Sequence, residues 1–190
     1  MNLYASLLPL LTLSKLGIAT VAITRWSDSR CDGAWVSCTN ITTLSCCTTL
    51  RVTGVVGARS GGFAYMPEGS RGYAWQSDYQ GNKCRKFRGW VSESGCIDAF
   101  ARGFAAFAGF SWVRDVGWQR DEESAEKIEE AFRCQTSQEP DTLGLKDGSE
   151  FKLDDMSDEN MQSLWELATS GRSYEELPDK FVAYFKGRRM

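Results

Sequence analysis

The chain has 190 residues, a formal net charge of −3 and no histidine. Its length allows one ordinary domain, or a small domain with an appendage. The lack of histidine excludes Ser-His-Asp and Cys-His nucleophilic catalysis, histidine-based ribonuclease chemistry and most catalytic zinc sites.

The N-terminus has the pattern of an export signal. Residues 3–13 are apolar, but this stretch is shorter than the roughly 20 residues that span a bilayer, and Lys15 follows it. Small residues ending at Ala19 or at Ala22 then match the spacing that signal peptidase recognises. We therefore predict a signal peptide over residues 1–22, a secreted, extracellular protein, and no transmembrane anchor.

Cysteines dominate the next part of the chain. Six of the seven lie before residue 118, and four of these fall within seventeen residues. In an exported chain this usage predicts disulfides. The predicted disulfide residues are Cys31, Cys38, Cys46, Cys47, Cys84 and Cys96. A structural metal is not predicted, because C-x2-C spacing and histidine are both lacking.

The sequence leaves the pairing of the cysteines partly open. Cys46 and Cys47 are neighbours, and a ring between them would be strained, so each is expected to have a different partner. The preferred set joins Cys84 to Cys96, and joins Cys46 and Cys47 to the first two cysteines in either order. Cys134 remains, either as a buried free thiol or as a tether that displaces one of these pairs.

Short aromatic and β-branched runs, separated by glycine-containing turns, predict strands through residues 23–118. This pattern predicts a disulfide-stapled antiparallel β sandwich or barrel. The predicted strands cover residues 34–39, 48–56, 62–66, 72–79, 84–91 and 110–114. Asn40 begins an Asn-Ile-Thr sequon and is a predicted glycosylation site in a secreted chain.

Aromatic and basic side chains in this β domain predict a binding surface. Aromatic rings on a sheet can stack on sugars, although core filling is the alternative role. The basic run at residues 83–90 favours an anionic partner, or else protects an exposed edge strand. The predicted ligand-binding residues are Tyr73, Trp75, Tyr79, Lys83, Arg85 and Trp90. The expected partner is a glycan or an anionic cell-surface component.

One stretch breaks the strand pattern. Ile97, Phe100, Phe104 and Phe107 recur at three- and four-residue steps, which predicts a short amphipathic helix. Such a stripe would suit a membrane-active toxin, which is one alternative function.

Charge changes near residues 118–120. Residues 23–118 contain eleven Lys and Arg against seven Asp and Glu, whereas residues 119–190 contain ten against eighteen. We predict a cysteine-rich β domain over 23–118 and an acidic helical region over 119–190, hence an α+β protein. Helices are predicted at residues 121–134 and 156–169, the second capped by Ser157, and inward-facing Phe181, Val182 and Phe185 are predicted in a last helix.

Few enzymatic chemistries have support in the sequence. Nucleotide-binding glycine motifs do not occur, so neither a nucleotide nor another cofactor is predicted. Two acids could still hydrolyse glycosides, although solvated or turn-capping positions are the alternative role of such acids, and which two would face each other is open. The candidates in the β domain are Asp28, Asp32, Glu68, Asp78, Glu93, Asp98 and Asp115. No catalytic residue is assigned.

The segment around Trp26, the run from Gly33 to Cys38 and the Cys46-Cys47 pair resemble small cysteine-rich secreted proteins of filamentous fungi. The resemblance covers residues 23–113 and implies an effector-like or antimicrobial role at a host or competitor surface. We therefore predict a secreted, non-enzymatic binding or effector-like protein. A carbohydrate-active hydrolase with an Asp/Glu pair is the main alternative.

Overall fold

The computed structural model describes residues 20–52, 57–114 and 124–189. Most of the predicted signal peptide and the predicted boundary near residues 118–120 lie outside the described residues.

Strands make up most of the described secondary structure. They are β1 (Ala22–Trp26), β2 (Trp35–Cys38), β3 (Ser45–Cys47), β4 (Ser60–Ala64), β5 (Ser70–Gln76), β6 (Lys86–Ser92), β7 (Cys96–Asp98), β8 (Gly109–Arg114), β9 (Thr136–Gln138), β10 (Thr142–Gly144), β11 (Ser149–Lys152) and β12 (Phe185–Arg188). The α-helices are α1 (Ala125–Ala131) and α2 (Asp158–Thr169). Short 3-10 segments are Ser29–Cys31, Phe100–Arg102, Tyr174–Glu176 and Asp179–Tyr184.

The strands form two sheets. One sheet has the order β12-β11-β10-β2-β1-β4-β7, and the other has the order β6-β5-β8-β3-β9. Neighbours are antiparallel except β3 and β9, which are parallel. The prediction of a mostly antiparallel, disulfide-linked β protein is confirmed at this level.

Strand β1 lies inside the larger sheet, paired with β2 on one side and with β4 on the other. Successive side chains of a strand point to opposite faces, so Ile23 and Arg25 share one face. Both are almost completely buried, with exposed fractions of 0% and 2%. This alternation places a charged side chain at a position that the pattern assigns to the core.

Apolar side chains of both sheets pack into one cluster. It includes Ile23 and Phe63 from the larger sheet and Ala74 and Phe110 from the smaller one. The Phe110 ring fits only because residue 61 is glycine, since a Cβ atom there would overlap the ring. Close packing of this kind tolerates little change in volume.

Helix α2 packs over β10 and β11, which lie towards one edge of the larger sheet. Its N-cap is Ser157, as predicted, and the side chain of this residue accepts a hydrogen bond from the Asn160 N–H at 3.3 Å. Met161 and Leu164 face a cluster that contains Leu143 and Phe151. The apolar spacing of the helix therefore buries one face against the sheet.

The region after residue 124 is not purely helical, in contrast to the prediction. Strands β9 to β12 occur there beside the two helices, and β10 pairs with β2 in the larger sheet. Phe181 is buried as predicted, but Val182 is 56% exposed and Phe185 begins β12. The pattern failed here because strands of three or four residues give almost no periodic signal.

The prediction of a short amphipathic helix from the spacing of Ile97, Phe100, Phe104 and Phe107 is also wrong. Ile97 lies in β7 and Phe107 in an isolated bridge with Ala58, and both are buried. Phe100 is 84% exposed. The three- and four-residue spacing thus arises by chance in a segment that is only briefly helical.

Three disulfides cross-link the described residues: Cys31–Cys96, Cys38–Cys47 and Cys46–Cys84. Of the preferred set, Cys38–Cys47 is confirmed, whereas Cys84–Cys96 is wrong, and Cys46 pairs with Cys84 rather than with either of the first two cysteines. Cys96 pairs with Cys31 because β7 lies next to β4, which contacts the Ser29–Cys31 segment. This neighbour relation between strands has no signal in the linear sequence.

Among the described residues, we find no helix with the length and apolar character needed to cross a membrane.

Candidate functional site

A buried arginine without sufficient partners is the most unusual feature of the interior. The Arg25 Nη2 donates one long hydrogen bond, at 3.4 Å, to the Phe107 carbonyl. The guanidinium carbon lies 5.8 Å from the centre of the Phe110 ring. Within the described part of the chain, Nε and Nη1 of Arg25 have no hydrogen-bond partner. Buried charges are normally paired, so this group lacks an acceptor.

Burial changes the titration of this side chain. Desolvation lowers the pKa of Arg25 from its ordinary value to about 9, because the interior disfavours the charged form. At neutral pH the guanidinium is still positively charged. The protein therefore keeps a buried cation that protein groups of the described chain do not neutralise.

A cavity of about 470 Å³ adjoins this arginine. Its volume falls in the range of about 300–1,000 Å³ that is common for small-molecule sites. Most of the wall is apolar and includes Val36, Leu50, Ala106 and Trp165. Val36 is the partner of Arg25 across β1 and β2, which places the two side chains on the same face of the sheet.

Three ionisable residues of the described chain line the cavity. Arg25 and Arg59 are basic, and Asp28 is acidic, so these three side chains together carry a charge of +1. Thr49 and Thr169 add hydroxyl groups to the wall. The site is thus a half-open cavity with apolar side chains, hydroxyl groups and an excess of positive charge in its wall.

Lys83 adds a further cation beside the cavity. Its Nζ donates a hydrogen bond to the hydroxyl of Thr49, which lines the wall. Burial and, to a smaller degree, the positive charge of Arg25 lower the pKa of Lys83, and Glu139 opposes the shift. Lys83 and Arg25 are therefore close enough to repel each other.

The predicted ligand-binding residues do not form one surface. Tyr73 and Trp75 share a face of β5 but are buried in a cluster with Phe132, so they fill a core, the alternative role considered for them. Tyr79 is 89% exposed and Trp90 is 38% exposed.

The two predicted basic ligand residues lie elsewhere. Lys83 and Arg85 line a second cavity of about 480 Å³, together with Cys46 and Cys134. Of the six predicted residues, Lys83 is thus the one that the structure brings close to the Arg25 cavity.

A thiol and a disulfide meet at this second cavity. The sulfur atoms of Cys46, Cys84 and Cys134 all lie within 4.8 Å of one another. Cys46 and Cys84 are joined to each other, and Cys134 is a free, half-buried thiol. Burial raises the pKa of Cys134 to about 11, so the thiol is almost entirely protonated at neutral pH.

Two of the candidate acids, Asp78 and Asp98, accept backbone hydrogen bonds in turns. Asp78 accepts hydrogen bonds from the backbone N–H groups of Gln80 and Asn82, each at 2.9 Å. The hydrogen bond from the Asn82 side chain, followed by these two backbone bonds, lowers the pKa of Asp78, the direction opposite to that of a general acid. Asp98 accepts from the N–H groups of Arg30 and Phe100, each at 2.8 Å.

Asn40 of the predicted sequon lies on an exposed turn after β2. Its φ of 54° is in the left-handed region, which asparagine tolerates better than most residues. Thr42 is also exposed, so both positions that define the sequon are accessible. Glycosylation of Asn40 stays a prediction.

Arg25 is not among the site residues predicted from the sequence. A signal was nevertheless present, because Val21, Ile23 and Arg25 follow one another at the two-residue spacing of one strand face. Val21 and Ile23 are 1% and 0% exposed. A charged residue in phase with two apolar ones predicts a buried charge, provided that the strand is first recognised.

Comparison with known proteins gives the family. The N-terminal domain of the ARB_05566 family matches residues 22–141, which is more than half of the chain. The chain belongs to this family. The C-terminal domain of the ARB_05566 family matches residues 146–188. The family thus covers the larger part of both sheets, beyond the residues 23–113 of the predicted resemblance.

A relative of this ARB_05566 family member is an uncharacterized secreted protein of the fungus Arthroderma benhamiae. It is 25% identical over 171 residues, which cover 88% of this chain and 85% of the relative. The relative confirms the predicted resemblance to secreted fungal proteins and the predicted secreted, extracellular location. No solved structure matches the chain.

Proposed function

We propose that this protein is a secreted, non-enzymatic binding protein that holds a small anion in the Arg25 cavity. The observation that carries the proposal is the buried guanidinium beside a cavity of 470 Å³, with Nε and Nη1 unpartnered among the described residues. An anion in the cavity would lie beside this buried cation and offset part of its charge. The packing of both sheets around Phe110 supports the predicted sandwich as the scaffold of the site.

Energetic reasoning favours a binding role over a purely structural one. A buried charge without a partner destabilises a fold, and well-packed apolar residues in its place are often neutral or stabilising. Arg25 therefore does not improve the stability of the protein without its ligand. Retaining such a residue makes physical sense where a ligand compensates the charge.

The predicted action at a host, competitor or cell-wall surface is part of the same proposal. Tyr79 and Trp90 are exposed, and Arg71 lies over the Trp90 ring with its guanidinium carbon 4.9 Å from the ring centre. Tyr79 and Trp90 are thus each accessible for the predicted contact with a glycan or an anionic cell-surface component. An effector-like protein would make such contacts while holding its ligand in the cavity.

The alternative functions have weaker support. In the hydrolase hypothesis Asp78 or Asp98 would be catalytic, yet both are engaged in turn hydrogen bonds. In the toxin hypothesis the 97–110 stripe would enter a membrane, yet Ile97 and Phe107 are buried. Neither alternative is favoured by a specific contact of the described residues.

The test is an Arg25→Met variant examined by thermal unfolding with acetate, benzoate, sulfate and phosphate at constant ionic strength. We expect at least one anion to raise the melting temperature of the unmodified protein and none to raise that of the variant. Without anions, the variant should be more stable by about 1–4 kcal/mol, because a buried unpaired charge is removed.

An Arg71→Met variant is the matched control, because it removes one positive charge that does not line the cavity. It should keep the anion response. The proposal fails if no anion stabilises the unmodified protein, or if Arg25→Met responds as strongly as the control.

A further inference from the structure

A thiol and a disulfide lie together at the wall of the second cavity, apart from the Arg25 cavity. The sulfur atoms of Cys46, Cys84 and Cys134 are all within 4.8 Å of one another, and two of them already form the Cys46–Cys84 bridge. A metal would need all three sulfurs as thiolates. With one thiol and one disulfide, the cluster instead holds the nucleophile and the electrophile of thiol–disulfide exchange.

Strand pairing positions Cys134 beside this bridge. Cys134 lies just before β9, which pairs in parallel with β3, the strand that contains Cys46. The Gln135 N–H donates a hydrogen bond to the Leu44 carbonyl at 2.9 Å, so the backbone next to Cys134 is tied to the residue that precedes β3. The thiol therefore reaches the bridge from a backbone that is held by the sheet.

The bridge packs closely against Gly109 and borders the cavity. A Cβ atom on Gly109 would lie 2.4 Å from the Cys84 Sγ and 2.7 Å from the Cys46 Sγ. Cys46 and Cys134 both line the cavity. Reacting atoms in a near-attack arrangement are about 3–3.5 Å apart, so a sulfur within 4.8 Å of the bridge has to move by less than about 2 Å.

Charged and polar groups around the thiol set the conditions for its reaction. Burial raises the pKa of Cys134 to about 11, while the Ser111 hydroxyl and the positive charge of Arg85 oppose this shift. Lys83 and Glu139 line the same cavity and are of opposite charge. Because the thiolate is the attacking form, exchange is slow at neutral pH and faster in alkaline solution.

We infer that Cys134 exchanges with the Cys46–Cys84 bridge and gives the protein a second covalent form. The Cys134 thiolate attacks one sulfur of the bridge, a new S–S bond forms there, and the bond between Cys46 and Cys84 breaks. The displaced cysteine leaves as a thiolate and takes up a proton, which replaces the one that Cys134 lost. One thiol and one disulfide remain, so the step needs no oxidant or reductant. In the second form, Cys134 ties the segment after α1 to β3 or to the turn before β6.

Thiol trapping in the unmodified secreted protein tests this inference. The protein is incubated at about pH 9 without reductant, quenched with acid, and labelled with N-ethylmaleimide in urea at about pH 5, where exchange is slow. Peptide mapping without reduction then locates the label and the disulfides. We expect the label on Cys134 in most molecules, and on Cys46 or Cys84 in a minor population of about 1–10%. In that population Cys134 should be bridged to the other of the two cysteines.

The remaining cysteines are the internal control for disulfide scrambling during the labelling. Their sulfurs lie outside the cluster and are joined to one another in two further bridges. An exchange confined to the cluster should leave all four without label: Cys31, Cys38, Cys47 and Cys96.

Two variants test separately whether Cys134 can bond to each sulfur of the bridge. Cys84→Ser leaves Cys46 without its partner, and glutathione disulfide as the oxidant should then produce a Cys46–Cys134 bridge, with the loss of two hydrogen atoms in the intact mass. Cys46→Ser should produce a Cys84–Cys134 bridge in the same way. Cys47→Ser is the matched control, because it frees Cys38, whose sulfur is not part of the cluster. No bridge to Cys134 is expected in this control.

Three results would overturn the inference. One is label on Cys134 alone after the incubation, even if the variants form their bridges, because the Cys46–Cys84 bond would then be permanent in the unmodified protein. Another is label on all seven cysteines, which would indicate general scrambling rather than exchange within the cluster. The third is that neither folded variant forms a bridge to Cys134. If the variants fail to fold, the trapping experiment on the unmodified protein decides the question.

Discussion

Arg25 illustrates how a single residue sets both the stability and the chemistry of this protein. The lowering of the Arg25 pKa to about 9 by burial corresponds to a penalty on the order of 5 kcal/mol for the charged form. Because the folded pKa is lower than the unfolded one, this penalty applies in full below pH 9 and is relieved as the pH rises above 9 towards the ordinary pKa of an arginine. The proposed ligand would offer another route of relief at neutral pH.

Cys134 gives a residue-scale prediction about pH. Alkylating agents react with the thiolate, and burial raises the pKa of this thiol from 9.0 to about 11. The rate of modification by iodoacetamide in the native protein should therefore keep rising by about tenfold per pH unit up to about pH 11. Intact-mass measurements over time at several pH values give this rate, and peptide mapping assigns the adduct.

Protein unfolded in urea with its disulfides intact serves as the control for Cys134. There the rate should level off near pH 9, the ordinary value for the exposed thiol. A native profile that also levels off near pH 9 would contradict the predicted burial effect.

At the scale of elements, strand β1 fixes where the mature chain should begin. The Val21 carbonyl accepts a hydrogen bond from the Ile41 N–H at 3.1 Å, and Ala22 pairs with Ala64 of β4. Cleavage after Ala22 would remove both residues from the fold. Of the two predicted cleavage positions, Ala19 keeps the strand intact.

We therefore predict that N-terminal sequencing of the secreted protein finds Thr20 as the first residue. A mature chain starting at Ile23 would contradict this prediction, because the buried Val21 and the first pair of the β1–β4 ladder would then be dispensable.

Long and regular elements could be predicted from the sequence. The apolar positions of α2 and its Ser157 cap are local features, so they could be read directly. Strand β10 could not be predicted from local features, because its three residues are held in a strand by pairing with β2, which lies more than one hundred positions earlier in the chain. The pairing of Leu143 with Val36 is a contact that no local pattern encodes.

At the scale of the whole molecule, the basic and acidic halves are joined mainly by packing and sheet pairing. Arg51 forms a salt bridge with Asp158, with Nε and Oδ1 2.5 Å apart, and Lys146 forms one with Asp32, with Nζ and Oδ2 3.1 Å apart. All four side chains are largely exposed. Exposed ion pairs contribute about 0–1 kcal/mol each. The buried cluster around Leu143, together with the β2–β10 ladder, therefore holds the halves together more strongly than their opposite charges do.

The Cys31–Cys96 disulfide gives a whole-molecule prediction. It connects residues 65 positions apart, and a cross-link of that span should restrict the unfolded chain by about 4 kcal/mol. The double variant Cys31→Ala with Cys96→Ala should lose about this much free energy of unfolding in urea. Both side chains are only partly buried or exposed, so little packing is lost with the sulfur atoms.

The single variant Cys31→Ala is the internal comparison, since it removes the same cross-link and should lose a similar amount. A loss below about 1 kcal/mol in the double variant would show that the loop is already restricted in the unfolded state.

The sequence by itself determined those properties that depend on composition and on local order along the chain. Secretion, disulfide use, a mostly β first half, the Ser157 cap and the exclusion of histidine chemistry all follow from residue types and short spacings. Only the tertiary structure decided the disulfide partners, the addition of β10 to β12 to the larger sheet and the site at Arg25. The physical reason is that each of these is a relation between distant segments. The burial of Arg25, with two of its nitrogens unpartnered among the described residues, arises only when the strands around it pack together.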